Sequence, residues 1–185
     1  IIAREVKRME EMLGNILSFS KKQLVCFEEC NLKNVLQEVF DLEYDHCHRQ
    51  GIKFDCALAH NLPVILGDYR QLRQVFLNLT INARQVMSEG GVLTVSARTG
   101  SLRGEKAVVV EVRDTGGGIK PEVMRNIFNP FFSTFAKGTG LGLSISHRII
   151  EHHHGQIEVV NSDKGARFIV SLPVVPPAGA SPGSA

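Results

Sequence analysis

The stretch from Asp68 to Met87 constrains this chain more than any other, because it carries two different stripes on one helical period. Leu72, Val75, Phe76, Leu79, Ala83 and Val86 recur at three- and four-residue intervals, the mark of a helix with one buried face. That face needs a cover, and the expected cover is a sheet. Beside it run Gln71, Gln74, Asn78, Asn82 and Gln85, spaced 3-4-4-3 with no charge among them. A helix face turned to water ordinarily carries Lys and Glu, which are better helix formers than Asn. An uncharged polar surface would account for the stripe without any function. The sharper reading is a stripe that faces a polar ligand. An Asn side-chain oxygen suits Mg²⁺, which takes hard oxygen ligands while sharing itself with phosphates.

The rest of the chain supplies the cover. Asn31 is an N-cap ahead of Leu32, Val35, Leu36 and Val39, and Gly51 ends that helix. Residues 52–58, 64–66, 91–99, 106–113, 156–161 and 166–172 read as strands. A short helix follows Pro121, 128–140 is a loop, and a further helix runs from about Leu141 to His153. Helices interleaved with hairpins predict an α+β fold, a two-layer sandwich in which helices cover one face of a mixed sheet. Ahead of it, Ile2, Val6, Met9, Leu13 and Ile16 are spaced 4-3-4-3 like a coiled-coil seam, with charged residues between them. An amphipathic helix packed on its own domain would account for the pattern, and the sharper reading is a helix that pairs with other helices. After Pro173 the chain is rich in proline and uncharged, which reads as a linker or tail. The expected division is therefore 1–22, a helix-pairing segment; 23–173, a compact domain; and 174–185, a tail.

Charge and cysteine usage exclude other classes. Lys plus Arg is 21 and Asp plus Glu is 19, a net +2, which does not suit an electrostatically driven nucleic-acid binder. No apolar run reaches the roughly 18–20 residues of a membrane span. The first ten residues carry charges where a signal peptide has its apolar stretch. Cys26, Cys30, Cys47 and Cys56 form no C-x-x-C pair and fit no zinc spacing, so they read as reduced thiols in a cytoplasmic setting. His152, His153 and His154 invite a metal reading, but adjacent helical residues point in different directions and do not readily share one ion.

Three further motifs carry chemistry. A β-branched run, Val108-Val109-Val110-Glu111-Val112, leads into Arg113-Asp114-Thr115-Gly116-Gly117-Gly118-Ile119. Glycines at a strand end allow a tight turn and the close approach of a flat ligand. Asp114 can accept hydrogen bonds there from an amino group such as that of adenine; alone, the motif is equally an Asp-Gly turn. Gly138-Thr139-Gly140-Leu141-Gly142-Leu143 opens a helix, whose exposed N–H groups and positive dipole end favour phosphate. It matches neither the P-loop nor the dinucleotide fingerprint. Between the two, Phe128, Phe131, Phe132 and Phe135 crowd a loop around Pro130, in the manner of a mobile lid.

In this order the four features resemble the catalytic ATP-binding domain of sensor histidine kinases, over residues 1 to 173. These kinases are one branch of the superfamily of DNA gyrase, mismatch-repair and heat-shock chaperone ATPases. The Asn stripe is similar to that family's N box, Asp-Thr-Gly-Gly-Gly-Ile to its G1 box, the Phe-rich loop to its F box, and Gly-Thr-Gly-Leu-Gly-Leu to its G2 box. Asn82-Ala-Arg-Gln85 and the short lid look most like the nitrogen-regulation and dicarboxylate-sensing type. The resemblance implies a Bergerat sandwich holding ATP. Asn82 would ligate Mg²⁺, Asp114 would hold the adenine amino group, and Gly116 and Gly118 would shape the floor. Gly138, Gly140 and Gly142 would bend the lid and present N–H groups. Asn78, Gln85, Ile119, Phe128, Lys137, Thr139, Leu141 and Leu143 complete the expected ATP-binding set.

Residues 1–22 would end a dimerisation helix, which implies a homodimer, a histidine-bearing hairpin and a response-regulator receiver domain as partners. The family's acceptor sits in a His-Glu/Asp-x-x-x-Pro context that no histidine here has, so the acceptor is expected outside this sequence. In hydrolytic relatives, a Glu one turn before the metal-binding Asn activates water. Asn78 stands there and cannot act as a base, which favours transfer to a protein nucleophile over ATP hydrolysis. The alternatives are a hydrolytic ATPase and a degenerate nucleotide-binding module. Three positions depart from the family pattern: Phe135 where Lys is usual, with Lys137 two residues later; Ala166 where Thr or Ser is usual near adenine; and His154 in place of a Gly.

Overall fold

The computed structural model describes residues 26–135 and 138–174. The elements are β1 (Glu28–Cys30), α1 (Leu32–Arg49), β2 (Ile52–Leu58), β3 (Ile65–Gly67), α2 (Tyr69–Val86), β4 (Gly91–Leu102) and β5 (Glu105–Arg113). After them come α3 (Pro121–Met124), α4 (Gly142–His152), β6 (Gln156–Asn161) and β7 (Ala166–Pro173). Asn31 and Asp68 cap the two long helices as their sequence positions imply. Asn31 accepts from Lys33 N–H at 3.0 Å, and Asp68 Oδ1 accepts from Gln71 N–H at 3.0 Å. The coiled-coil-like segment 1–22, residues 175–185 of the tail and Lys137 lie outside the described residues. Val174, expected in the tail, bridges to Ile65, and its N–H donates to Lys106 O at 3.0 Å.

Five strands form one sheet in the order β2-β4-β5-β7-β6. β2 and β4 are parallel and the other pairs antiparallel, so the sheet is mixed as predicted. α1, α2 and α4 cover one face. The fully buried side chains of α2 (Leu72, Val75, Phe76, Leu79) belong to one core with Leu93 of β4, Val108 and Val110 of β5, and Val170 and Leu172 of β7. Strand alternation turns Arg98, Glu111 and Arg167 together onto the opposite face, where Glu111 bridges both arginines at 3.3 and 3.4 Å.

Three details depart from the sequence expectations. β1, which was not anticipated, pairs antiparallel with β3 as a separate two-stranded sheet; three residues are too few to show a period. The β4–β5 hairpin runs three residues beyond the expected end at 99. Arg103 and Gly104 both have positive φ (53° and 86°), a two-residue turn that follows the strand twist and lets Leu102 pair with Glu105. Val86, assigned to the buried face of α2, is 41% exposed, because at the end of the helix it borders an open cavity instead of the closed core.

Polar contacts join the helices. Arg84 donates to Glu43 Oε2 at 2.8 Å in a nearly buried pair between α2 and α1. Tyr69 and Arg73 both donate to Glu38 and hold its carboxyl below the usual carboxylate range, the tyrosine hydroxyl most strongly. His153 turns inward just after α4. Its Nδ1 lies 2.7 Å from Ile149 O, and its Nε2 accepts from Asp68 N–H at 2.9 Å. The carbonyl can only accept, so the proton sits on Nδ1 and the ring is neutral. All four cysteines are free, and burial pushes the Cys30 and Cys47 thiols up to about 11, away from thiolate chemistry.

Candidate nucleotide-binding site

α2, the segment leaving β5, residues 132–135 and 138–140, the start of α4 and β7 line a cavity of about 620 Å³, within the size range of small-molecule sites. α2 contributes Asn78, Asn82 and Gln85 from the amide stripe. Gln71 and Gln74 do not reach the cavity. The stripe is straight, but the cavity lies only along the C-terminal half of the helix. Gln71 is instead buried near the N-terminal end.

Within the stripe the amides differ in use. Asn78 donates to Gly142 O at 3.3 Å and to Ser146 Oγ at 3.4 Å, tying α2 to the first turn of α4. Asn82 and Gln85 make no hydrogen bond among the described residues, which leaves the Asn82 oxygen free at the cavity wall. Arg84, in the same stretch, points away to Glu43.

Asp114 is 2% exposed and lines the cavity. Its Oδ1 accepts from Gly116 N–H at 2.8 Å and from Ala166 N–H at 3.2 Å. Oδ2 has no partner among the described residues and can accept from a ligand amino group. Gly118 and Ile119 line the cavity beside it. Gly116 does not; it lies against the end of α2, where a Cβ would come within 2.5 Å of Val86 Cγ2. Its glycine serves that close approach.

At the other end, Gly138, Thr139, Gly140, Gly142 and Leu143 line the wall. No side chain caps α4, so its first N–H groups are open to an anion. Leu141, expected in the binding set, is buried in the core at 2% exposure. Phe128 is also outside the lining; its ring packs on His147 of α4, centroid to centroid 5.1 Å, and anchors the start of the lid. Lys137 lies outside the described residues. Lys120 is the only cation, and Asp114 the only anion, among the described lining residues.

Several lining residues escaped the motif reading. These are Ile81, Val123, Ile127 and Phe168, which give the cavity apolar walls together with Val86 and the lid residues Phe132 and Phe135; Ala166 stands beside Asp114. The sequence signal for Ile81 and Val86 was their place flanking the amide stripe. Nothing local marked Val123, Ile127 or Phe168. The histidine triplet forms no metal cluster with other ligands among the described residues, and His153 has both ring nitrogens engaged.

The site is thus a mostly apolar slot with a buried carboxylate at one end and an open helix N-terminus at the other. Those are the ends of a nucleotide, amino-bearing base and phosphates. Comparisons with known proteins agree. Residues 67–176 match the family described as histidine kinase-, DNA gyrase B- and HSP90-like ATPase. Sporulation kinase E of Bacillus subtilis (strain 168) is 31% identical over 94% of this chain. Full-length ShkA, solved in complex with AMPPNP, superposes with a TM-score of 0.79 at 29% identity, over 92% of this chain and 37% of that one. Histidine kinase ThkA in complex with the response regulator protein TrrA gives 0.73 at 31% identity, over 94% and 49% of the two chains. The chain spans 23% of the length of sporulation kinase E, so it corresponds to one part of such a protein. On the family match and the shared fold, this chain belongs to the histidine kinase-, DNA gyrase B- and HSP90-like ATPase family, as an ATP-binding catalytic domain of the histidine kinase type.

Proposed function

We propose that this domain binds MgATP in the cavity and passes the γ-phosphoryl group to a histidine on a helical hairpin outside the described residues. Asn78 is the observation that carries this reading. A hydrolytic site needs a base to activate water, and Asn78 offers an amide whose Nδ2 is committed to Gly142 O and Ser146 Oγ. In the transfer, the bond between the γ-phosphorus and the bridging oxygen breaks, ADP leaves with the electron pair, and an imidazole nitrogen takes the phosphoryl group. The chain's own part is positioning and charge neutralisation.

The donor set fits a magnesium ion shared with the nucleotide. The Asn82 oxygen is unengaged on the cavity wall, and no group of three His, Cys, Asp or Glu converges among the described residues to cage a metal without phosphates. Bound there, the ion would neutralise phosphate charge. Asp114 would hold the adenine amino group through Oδ2, and Gly138, Thr139, Gly140, Gly142 and Leu143 would contact the phosphates with the N-terminus of α4.

The proposed division is a dimerisation-helix end at 1–22, the ATP-binding domain at 23–173 and a tail at 174–185. A response-regulator receiver is the proposed partner, supported by the likeness to ThkA, which was solved in complex with the response regulator protein TrrA. The proposed homodimer rests on the heptad-like spacing of Ile2, Val6, Met9, Leu13 and Ile16. Among the described residues no helix is long and apolar enough to cross a membrane. The proposed location is cytoplasmic, a reading supported by the domain's need for ATP. The test is incubation with γ-labelled ATP and a separate polypeptide carrying the acceptor hairpin. Acid-labile, base-stable phosphate on that polypeptide supports the reading; rapid release of free phosphate with no acceptor present would make the domain a hydrolase.

A further inference from the structure

We propose that Asn161, at the end of β6 and outside the cavity, is a positioning residue that sets nucleotide affinity by holding the backbone of Ile119. Its Oδ1 accepts from Ile119 N–H at 2.8 Å, and its Nδ2 donates to Ile119 C=O at 2.9 Å. One side-chain amide thus makes both bonds that a neighbouring strand would make. It does so where no strand is available: β5 ends at Arg113, and residues 114–120 have neither helix nor ladder.

The segment needs such a hold. Gly117 and Gly118 have φ of +89° and +81°, so the chain reverses through conformations with wide backbone freedom. Gly116 N–H is tied to Asp114 Oδ1 and Gly117 N–H to Lys164 O at 3.0 Å, which secures the first half of the turn. The second half carries Ile119 and Lys120 into the cavity wall, and the Asn161 amide is the group that secures it. Gly118 leaves the room: a Cβ there would approach Asn161 Oδ1 to 3.1 Å. Asn161 is not among the lining residues, so it acts on the ligand only through Ile119. The inference rests on the reading that the cavity holds ATP with its base at Asp114 and Ile119.

Two variants of the 185-residue chain test it. Asn161→Ala removes both bonds. Asn161→Asp keeps the acceptor for Ile119 N–H but turns a carboxylate oxygen toward Ile119 C=O. Gln156→Ala is the control, because Gln156 lies on the same strand and its side chain bonds to Glu158 at the surface. The readouts are amide hydrogen exchange without nucleotide, calorimetric affinity for ATP and for ADP, and the thermal midpoint. Both Asn161 variants should exchange the Ile119 amide about tenfold faster and weaken ATP and ADP by the same factor, about tenfold, with the midpoint near the parent's. The control should change none of these. An equal loss for both nucleotides places the effect on the part that ATP and ADP share, which includes the base, and not at the γ-phosphate. Unchanged Ile119 exchange, a loss confined to ATP, or faster exchange throughout with a lowered midpoint would each overturn the proposal. A parent that binds no ATP sinks the site reading and this inference together. A parent that binds ATP alongside an unaltered Asn161→Ala variant sinks the inference alone.

Discussion

Asp114 divides its two carboxylate oxygens between the protein and the cavity, and this decides what its replacement does. Oδ1 takes two backbone N–H groups, so an amide at this position must keep its oxygen there and turn its NH₂ outward. Asp114→Asn therefore sets a donor against the adenine amino group while leaving the loop intact. ATP affinity should fall about ten- to a hundredfold, the cost of roughly 1–3 kcal/mol for a mismatched buried pair. Calorimetry on a variant with an unchanged unfolding midpoint checks it, and GTP, with a carbonyl in place of the amino group, should bind poorly to the parent. Asn82 is the second residue-scale case. Asn82→Ala should weaken ATP binding much more with Mg²⁺ present than with EDTA; equal losses in the two titrations would remove its role as a ligand.

At the scale of elements, the helices are joined by a few polar contacts whose loss is costly. Glu43 is nearly buried and its ion-pair partner is Arg84. Arg84→Ala leaves a carboxylate without its cation in the helix interface and should cost about 3 kcal/mol in urea unfolding, toward the low end for a fully buried pair. Its effect on ATP affinity should be small, since Arg84 points away from the cavity. The His153 contact links the end of α4 to the cap of α2. Burial lowers the pKa of this ring, against opposing pulls from the Ile149 carbonyl and Asp68; His152 and His154 lower it further. A lowered folded value means the unfolded chain takes up the proton first. The stabilisation is therefore complete above the ordinary imidazole value of about 6.5 and is lost as pH falls toward the depressed folded value. Protonated Nε2 can no longer accept from Asp68 N–H. The urea midpoint should drop between pH 7.5 and 5.5, and His153→Gln should flatten that dependence; a parent with no drop would count against the contact.

For the whole molecule, the feature to test is whether the cavity wall at residues 132–135 acts as a lid. Phe131 is 68% exposed with φ +65°, and its backbone backs onto Gly140. A ligand that packs beneath residues 132–135 lowers the population of the open loop. ATP should slow proteolysis within 128–140 by at least several-fold at saturation, with cleavage elsewhere little changed. The same chain incubated alone with γ-labelled ATP should gain almost no acid-labile phosphate. No histidine has the acceptor context, and both ring nitrogens of His153 are engaged. Substantial phosphohistidine mapped to His46, His48, His60 or the 152–154 cluster would mean the acceptor has been misplaced.

What could be read from the sequence were the features whose physics is local. The caps at Asn31 and Asp68, the two stripes of α2, the strand before Asp114 and the glycines opening α4 lie within a few residues of the groups they serve. Periodicity and turn chemistry report such features directly, and together they specify the mixed sheet with its helices and most of the polar site. Tertiary structure alone decided which of those residues face one another. Asn161 meets Ile119 across 42 positions, Ala166 meets Asp114 across 52, and His153 meets Asp68 across 85. No period encodes these contacts, because chain closure over such distances is set by packing of the whole core. For the same reason, Gln71 and Gln74 belong to the amide stripe but not to the cavity, and Leu141 and Phe128 belong to the motifs but pack elsewhere. Helical period fixes the side of a helix on which a residue lies; only the packed sheet and loops decide how far along that side the cavity extends.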